Sequence, residues 1–599
     1  MAQPIEDYAV IGDGNTAALV GKDGSIDWLC IPHFDSPACF AALLGDERNG
    51  RWLIGPVGHA DVSRRYVGDT TVLETTYTTD TGKVRVVDLM PAGDERSDII
   101  RRITGLEGSV TMEHEWRVRT DYGRIRPWVH RAHSGKEELI VATAGPDKLV
   151  LRGDRLPRAD DGRHRDRFDV EAGQVLTFAT VWIPSHRHLE EPLDYDPRIQ
   201  STLETEQAWA DAIQYDGRHR DAVVRSLVTL RNLTDTVTGG IVAAATTSLP
   251  EDFGGERNWD YRYCWLRDAS LTLQALLACG RSDEANLWRG WLLRAVAGDP
   301  GDLQIMYTLD GSRRLPEYEI DELPGYAGSK PVRVGNGAVN QRQTDVLGEV
   351  MCALHDARNH GLPDSRHSWA IQRVLIDGMS RGWEQPDNGL WEIRGPLRHF
   401  THSRVMVWAA FDRAVRAVET GGLDGPVDKW RDLRDRVREE VLEHGFDKER
   451  NTFTQHYDTT EVDASLLVLP LVGFIDGDDP RMLGTIAAVE QDLMHEGLLL
   501  RYRTQSGVDG LGGAEHPFLA CSFWLVSAYA LAGRLGDAEE LMERLVGLTN
   551  DVGLLSEEYD PVGHRMVGNF PQAFSHLALV QAAVTLTAAS ASDGAVRRR

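Results

Sequence analysis

Three loops of the chain carry side chains that could act on an uncharged, hydroxyl-rich molecule, and a fourth carries cations. GGERNWDYRYCWLRDAS (254–270) interleaves Trp259, Tyr261, Tyr263 and Trp265 with Arg257, Asp260, Arg262, Arg267 and Asp268. Rings of this kind stack on the apolar faces of a pyranose, and carboxylates and guanidiniums hydrogen-bond its hydroxyls with charge assistance. QPDNGLWEIRGPLRHF (385–400) sets Glu392 between Trp391 and Ile393. A carboxyl in such partly apolar surroundings is a candidate for a raised pKa and so for a general acid. DVGLLSEEYDPVG (551–563) holds the adjacent acids Glu557 and Glu558. LPGYAGSKPVRVGNGAVNQRQTD (323–345) brings Lys330, Arg333 and Arg342, which could attract an anion. Cleavage of a glycosidic bond needs one protonated carboxyl at the leaving oxygen and a second carboxylate to activate water or attack carbon. Each stretch also has an ordinary reading: a surface loop with salt bridges, a helix entry capped near Asn336, a Glu paired with Arg394 or Arg398, a solvated acidic pair.

Position separates these readings. From Tyr8 to about Pro184 the chain reads as many short strands with turn signals such as GDGN, KDGS and DTGK, the pattern of an antiparallel β-sandwich. GDGNTA leads into another strand and lacks a third glycine, so it reads as a hairpin turn and not a phosphate cradle. From about Arg218 the period turns helical. Twelve segments begin near His219, Trp265, Ser282, Gly337, Asp364, His402, Pro426, Glu461, Asp479, His516, Gly536 and Phe570. Short connections alternate with long ones rich in Trp, Tyr, Gly and Arg: about 235–264, 298–336, 383–401, 444–460, 496–515 and 549–569. In an up-and-down array the long loops therefore share one end. Segments after long loops, among them RVMVWAAFDRAV, DASLLVLPLVGF and LACSFWLVSAYALAG, are the more apolar and should be buried. The expected architecture is a β-sandwich over 1–215, an (α/α)6 toroid over 216–590 that gathers its functional loops at one mouth, and a disordered tail over 591–599.

The chain has 599 residues and a formal net charge of −27, which disfavours nucleic acid and anionic membrane as partners. A neutral small molecule would be indifferent to that field. Six scattered cysteines without C-x-x-C read as buried free thiols in a reducing compartment, and the N-terminus shows no basic and apolar leader, so the expectation is a cytoplasmic protein. The longest apolar run, SLLVLPLVGFI, is short for a membrane span. GMSRG (378–382) fits G-x-S-x-G but follows no strand. The acids of DGDD (476–479) lie in a short loop, where Asp479-Pro480 reads as a helix cap and first residue.

The ordered set IEDYAVIGDGNTAALVGKDGSIDWLCIPHFDSPACF, GERNWDYRYCWLRDAS, PVRVGNGAVNQRQTDVLGEV, GLWEIRGPLRHFTHSRVMVWAAFDRA, GLLSEEYDP and GNFPQAFSHLALVQAA resembles glycoside hydrolase family 15, the glucoamylase, glucodextranase and bacterial trehalase group. The resemblance implies a β-sandwich, a linker, a six-by-six toroid and an inverting, exo-acting α-glucosidase. By motif it implies Glu392 as general acid and Glu557 as general base, Arg267 and Asp268 as ligands of the terminal glucose, and Trp259, Trp265 and Trp391 as pocket walls. Glu558 is expected as a neighbour orienting sugar hydroxyls or arginines. Inversion implies carboxyls about 6.5–9.5 Å apart. The PVRVGNGA and GNFPQAFSHLAL runs look most like the bacterial trehalases, although Lys330 and Val334 depart from that pattern. Some relatives in this group depend on phosphate and magnesium. For them Lys330, Arg333 and Arg342 would supply an anion site, whereas the hydrolysis itself requires no cofactor and no metal ligand is assigned. The rival readings are a glucoamylase-like hydrolase of α-1,4 or α-1,6 gluco-oligosaccharides, a glycoside phosphorylase, and a sugar-binding protein without catalysis. The assembly state stays open, a homo-oligomer included.

Overall fold

The structure is a computed structural model that describes residues 2–596 apart from 92, 94–95, 190–193, 298–302, 363, 511 and 514. Fifteen antiparallel strands, β1 to β15 in chain order, lie between Tyr8 and Pro184. The path runs β1 (Tyr8–Gly12), β2 (Ala17–Gly21), β3 (Ser25–Cys30), β5 (Arg51–Pro56), β9 (Ser97–Arg117), β15 (Val175–Pro184), β12 (Asp147–Gly153), β11 (Glu137–Ala144), β10 (Trp128–Ser134). The 21-residue β9 joins the two faces: its C-terminal half pairs with β5 and its N-terminal half with β15. GDGNTA is the β1–β2 hairpin turn, with the Asp13 carboxylate accepting from the backbone N–H of Asn15 and Thr16.

Helix α1 (Tyr195–Asp211) leaves the sheets, and its Tyr195, Ile199 and Leu203 pack on Val72, Leu89, Ile100 and Ala179. The helical half follows as α2 (Arg220–Asn232), α3 (Leu266–Ala278), α4 (Ser282–Ala295), α5 (Val346–Asn359), α6 (Arg366–Met379), α7 (Thr401–Glu419), α8 (Val427–His444), α9 (Pro480–Leu493), α10 (Leu519–Leu531), α11 (Leu535–Val546) and α12 (Ala573–Val596). The inner ring closes in the order α3, α5, α7, the segment Ala464–Val468, α10, α12 and back to α3. These are the elements that follow long loops, and their apolar character matches that place: all but the last residue of α10 is buried. Asp479 accepts from the N–H of Arg481 as cap, with Pro480 opening α9.

Three expectations are corrected. DASLLVLPLVGF forms a 3-10 turn over Ala464–Val468 and further turns, not an α-helix. Pro470 cannot donate to the carbonyl four residues back and its ring collides there, so an α-helix cannot pass through it. The helix expected near Gly337 starts at Val346, and only a 3-10 turn, Gly337–Asn340, capped by Asn336, marks the earlier position. Residues 591–596, expected as tail, continue α12, because AASASDGAV is rich in the best helix former and lacks proline. The tail's last three residues lie outside the described ones. One helix, Ala573–Ser592, is long and apolar enough to cross a membrane by composition; it is 61% buried as an inner element of the ring.

The two halves lock together at the long-loop end. Arg262 is fully buried, pairs with Asp260 at 2.7 Å, and donates to the Ser36 carbonyl and the Tyr122 hydroxyl in the strand half. The Trp28 indole donates to the Ala245 carbonyl. Removing one partner of a buried pair leaves the other charge uncompensated. Arg262→Gln should therefore lower stability by about 3–5 kcal/mol, read as a fall in the urea midpoint with unchanged secondary structure in water.

Candidate active site

The site is a cavity of about 740 Å³, open mouth included, between the long loops. Its floor is the first turn of α3. Arg267 and Asp268 are buried there, with Arg267 Nε donating to Asp268 Oδ1 at 2.7 Å and Nη1 to the Leu390 carbonyl at 2.9 Å. The Arg267 guanidinium also lies 5.3 Å from the Phe574 ring centroid. An acid in the first turn of a helix suits the positive end of its dipole.

Glu392 hangs over this floor. Its φ of 59° is left-handed, a cost of about 1–3 kcal/mol for a side-chain-bearing residue. Neighbours hold it there: Gln341 Nε2 donates to the Glu392 carbonyl and Asn388 Nδ2 to the Ile393 carbonyl, both at 2.9 Å. Trp265 Nε1 donates to Glu392 Oε1 at 2.6 Å, and Arg267 Nη1 stands 4.0 Å from the same oxygen. Burial raises the Glu392 pKa, with Arg267 and the Trp265 hydrogen bond working against it. The indole on this carboxyl is thus Trp265. Trp391, its chain neighbour, lines the cavity but turns its N–H to Asp463 Oδ2, because its ring is held among Tyr502, Phe518 and Trp524.

Glu557 and Glu558 part company. Glu558 begins a short strand, Glu558–Asp560, paired with Arg565–Val567, and successive strand residues point to opposite faces. Glu557 lines the cavity and its Oε2 accepts from the Asn569 N–H at 3.3 Å. Gly568, at φ 79°, lets the backbone approach it: a Cβ there would lie 2.6 Å from Glu557 Cβ. Glu558 does not line the cavity. It lies behind the wall, accepting from the His516 N–H and pairing with Arg501 Nη2 at 3.2 Å, so it acts on an arginine and not on the sugar space.

Arg501 is the residue that sequence reasoning missed. Its Nη2 also reaches Glu515 at 2.6 Å and Glu251 at 3.0 Å, while Arg257 reaches Glu515 at 3.3 Å and Asp509 at 2.5 Å. An arginine inside the apolar run LLLRYR was the available signal. Glu251, Glu515 and Glu558 lie close enough to share a cation, but the Arg501 guanidinium already fills that role. Burial first, then the negative charge of Glu251, raises the Glu557 pKa, against Arg501 and the Tyr261 and Asn569 hydrogen bonds. Tyr261, half-buried in the same cavity, hydrogen-bonds Glu557 and feels the charges of Glu251 and Glu392.

Trp259 forms the outer wall. Its N–H goes to Glu251 at 3.1 Å, and the Arg333 and Arg394 guanidiniums lie 4.6 and 4.3 Å from its ring centroid. The expected anion set does not converge. Arg333 donates to the carbonyls of Glu256 and Asn258, Arg342 donates to the Gly382 carbonyl on another surface, and Lys330 is exposed. Each of the two guanidiniums is engaged by protein carbonyls.

Residues 217–584 match the family model described as glycosyl hydrolases family 15, and residues 1–168 match a trehalase-like N-terminal model. The chain belongs to glycosyl hydrolase family 15. A glycoside hydrolase of this family is what the paired carboxyls and aromatic walls suit. The chain is 36% identical to a trehalase of Mycobacterium tuberculosis, over 97% of this chain and 89% of that one. It is 34% identical to a trehalase of Thermoplasma acidophilum, over 95% and 98%. A bacterial glucoamylase complexed with acarbose shares the fold, with a TM-score of 0.72 at 12% identity over 98% of this chain and 94% of that one.

Glu251→Gln should move the acid limb of the kcat/KM profile to lower pH. Removing the negative neighbour lowers the Glu557 pKa, so a base there stays ionised further into acid. An unmoved limb would show that Glu557 does not set it.

Proposed function

We propose that this family-15 enzyme is an inverting α,α-trehalase, with Glu392 as general acid and Glu557 as general base. The observation that carries the chemistry is that two carboxyls from different loops, the buried Glu557 and the half-buried Glu392, line one cavity over the Arg267–Asp268 floor. The two trehalases, similar over nearly the whole chain, support the choice of substrate. Residues 216–590 would carry catalysis and 1–215 would buttress it.

In this reading the terminal glucose sits on Arg267 and Asp268, with Trp265 and Trp391 beside it and Trp259 beyond. Glu392 passes its proton to the bridging oxygen as that bond breaks. Glu557 takes a proton from the water that attacks the anomeric carbon from the opposite face, which inverts it. Trp265 and Arg267 hold the Glu392 carboxyl. The Asn569 N–H and Arg501 favour the ionised form of Glu557. Two carboxyls supply both proton transfers, so the reaction requires no cofactor. The cations suggested for phosphate bind protein carbonyls or solvent, which argues against a phosphate requirement served by them. All six cysteines are buried free thiols, which suits a reducing compartment such as the cytoplasm.

Glu392→Gln and Glu557→Gln should each lower turnover of trehalose by about 10²–10⁴-fold with unfolding midpoints near wild type. NMR of the nascent products should show one β-glucose and one α-glucose per trehalose. Only α-glucose would refute inversion, and release of glucose 1-phosphate in phosphate buffer would refute hydrolysis.

A further inference from the structure

The acid loop and the loop leading to α10 meet along a seam beside the cavity. Gly395 and Gly510 make that seam a backbone-to-backbone contact. A Cβ at Gly395 would lie 2.5 Å from the Val508 carbonyl oxygen, and one at Gly510, at φ 69°, would lie 3.2 Å from the Gly395 nitrogen. The Arg394 N–H donates to the Asp509 carbonyl at 3.1 Å. The Asp509 side chain, 1% exposed, then ties in a third loop: its Oδ2 accepts from Arg257 Nη2 at 2.5 Å and from the Tyr502 hydroxyl at 3.1 Å. Arg257 Nε in turn donates to the Gly512 carbonyl at 3.3 Å.

The seam stands at the outer end of the cavity. The inner end is marked by Leu390 and Phe574, which also line a second cavity on the barrel axis beneath it. The outer end is marked by Arg394, which is solvent-exposed, pairs with Glu317 and covers Trp259. Asp509 is bonded to the Arg394 backbone, two residues beyond Glu392. It thus lines the cavity beside the acid loop, on the side where the group protonated by Glu392 would depart.

We propose that the Asp509 clasp closes the leaving-sugar side of the site and confines the enzyme to disaccharides, excluding substrates with a third glucose. This deepens the reading of the site as an α-glucosidase acting on trehalose and rests on it for the direction of the leaving sugar. A third sugar would have to pass between the acid loop and the 500–510 segment. There two backbones touch, and three loops are pinned on one carboxylate.

The test compares wild type with Asp509→Ala, which unpins Arg257 and Tyr502, and with Gly395→Ala, which wedges the seam while leaving Asp509 in place. kcat/KM is measured for trehalose, maltose, maltotriose and 4-nitrophenyl α-glucoside, the last, whose good leaving group needs little acid help, reporting an intact base and floor. The expected result is a rise of about tenfold or more in the maltotriose-to-maltose ratio in at least one variant. A smaller rise in both overturns the clasp, whether or not absolute rates fall, and if Asp509→Ala does not fold, Gly395→Ala alone decides. Wild-type protein inert on trehalose would defeat the substrate reading. The chain-length ratio would still judge the clasp.

Discussion

Beneath the mouth of the barrel, five carboxylates share two guanidiniums. Glu251, Asp509, Glu515, Glu557 and Glu558 are gathered around Arg257 and Arg501, all of them buried. Full ionisation would leave three uncompensated negative charges in a place where desolvating even one is costly. The cluster eases this by weakening its acids: the pKa values of Glu515, Glu557 and Glu558 are all raised, with burial the leading cause. Protons in such a group belong to the set more than to a single residue. The candidate base is thus one member of a buried network whose charge depends on how its neighbours pair. The same arginines join the Trp259 wall, the acid loop and the base loop, so rigidity and protonation come from one set of contacts.

That network would collapse into an unstructured mouth if the long loops were free. They are pinned from outside by the strand half. Arg262 is buried between its partner Asp260 and the carbonyls and phenol of the other half, one turn of chain before Arg267. The N-terminal sheets therefore act as a jig for the loop that leads to Arg267 and Asp268. The axis below is less tightly filled. Where the fourth inner element is a turn and not a helix, a cavity lined by Glu349, Cys352, His402 and Arg413 runs under the floor. Burial and the charge of Asp345 push Glu349 up to about 8.

Much of this was legible in the sequence, because periodicity and loop length report topology directly. Alternating short and long connections placed the functional loops at one end, and apolar helices after long loops marked the inner ring. The resemblance picked out Glu392 and Glu557. What escaped depends on contacts between distant segments. LLLRYR lies in a long loop, and nothing in its own sequence says which acids, from residues 251, 515 and 558, Arg501 gathers. Trp391 beside Glu392 in sequence suggested the indole that would touch it, yet a left-handed Glu392 turns its carboxyl to Trp265. DASLLVLPLVGF has helical composition, and only the weight given to Pro470 separates helix from turn. Lys330, Arg333 and Arg342 cluster in sequence but satisfy separate carbonyls or solvent in space.

The chain's first residues grip its last functional loop. Asn550 Nδ2 donates to the carbonyls of Glu6 and Tyr8, Arg565 pairs with Glu6 at 2.6 Å, and Arg64 pairs with Asp551. The loop between those contacts carries Glu557. The clamp joins segments 542 and 544 residues apart, so the placement of Glu557 rests on contacts whose closure orders a very long stretch of chain.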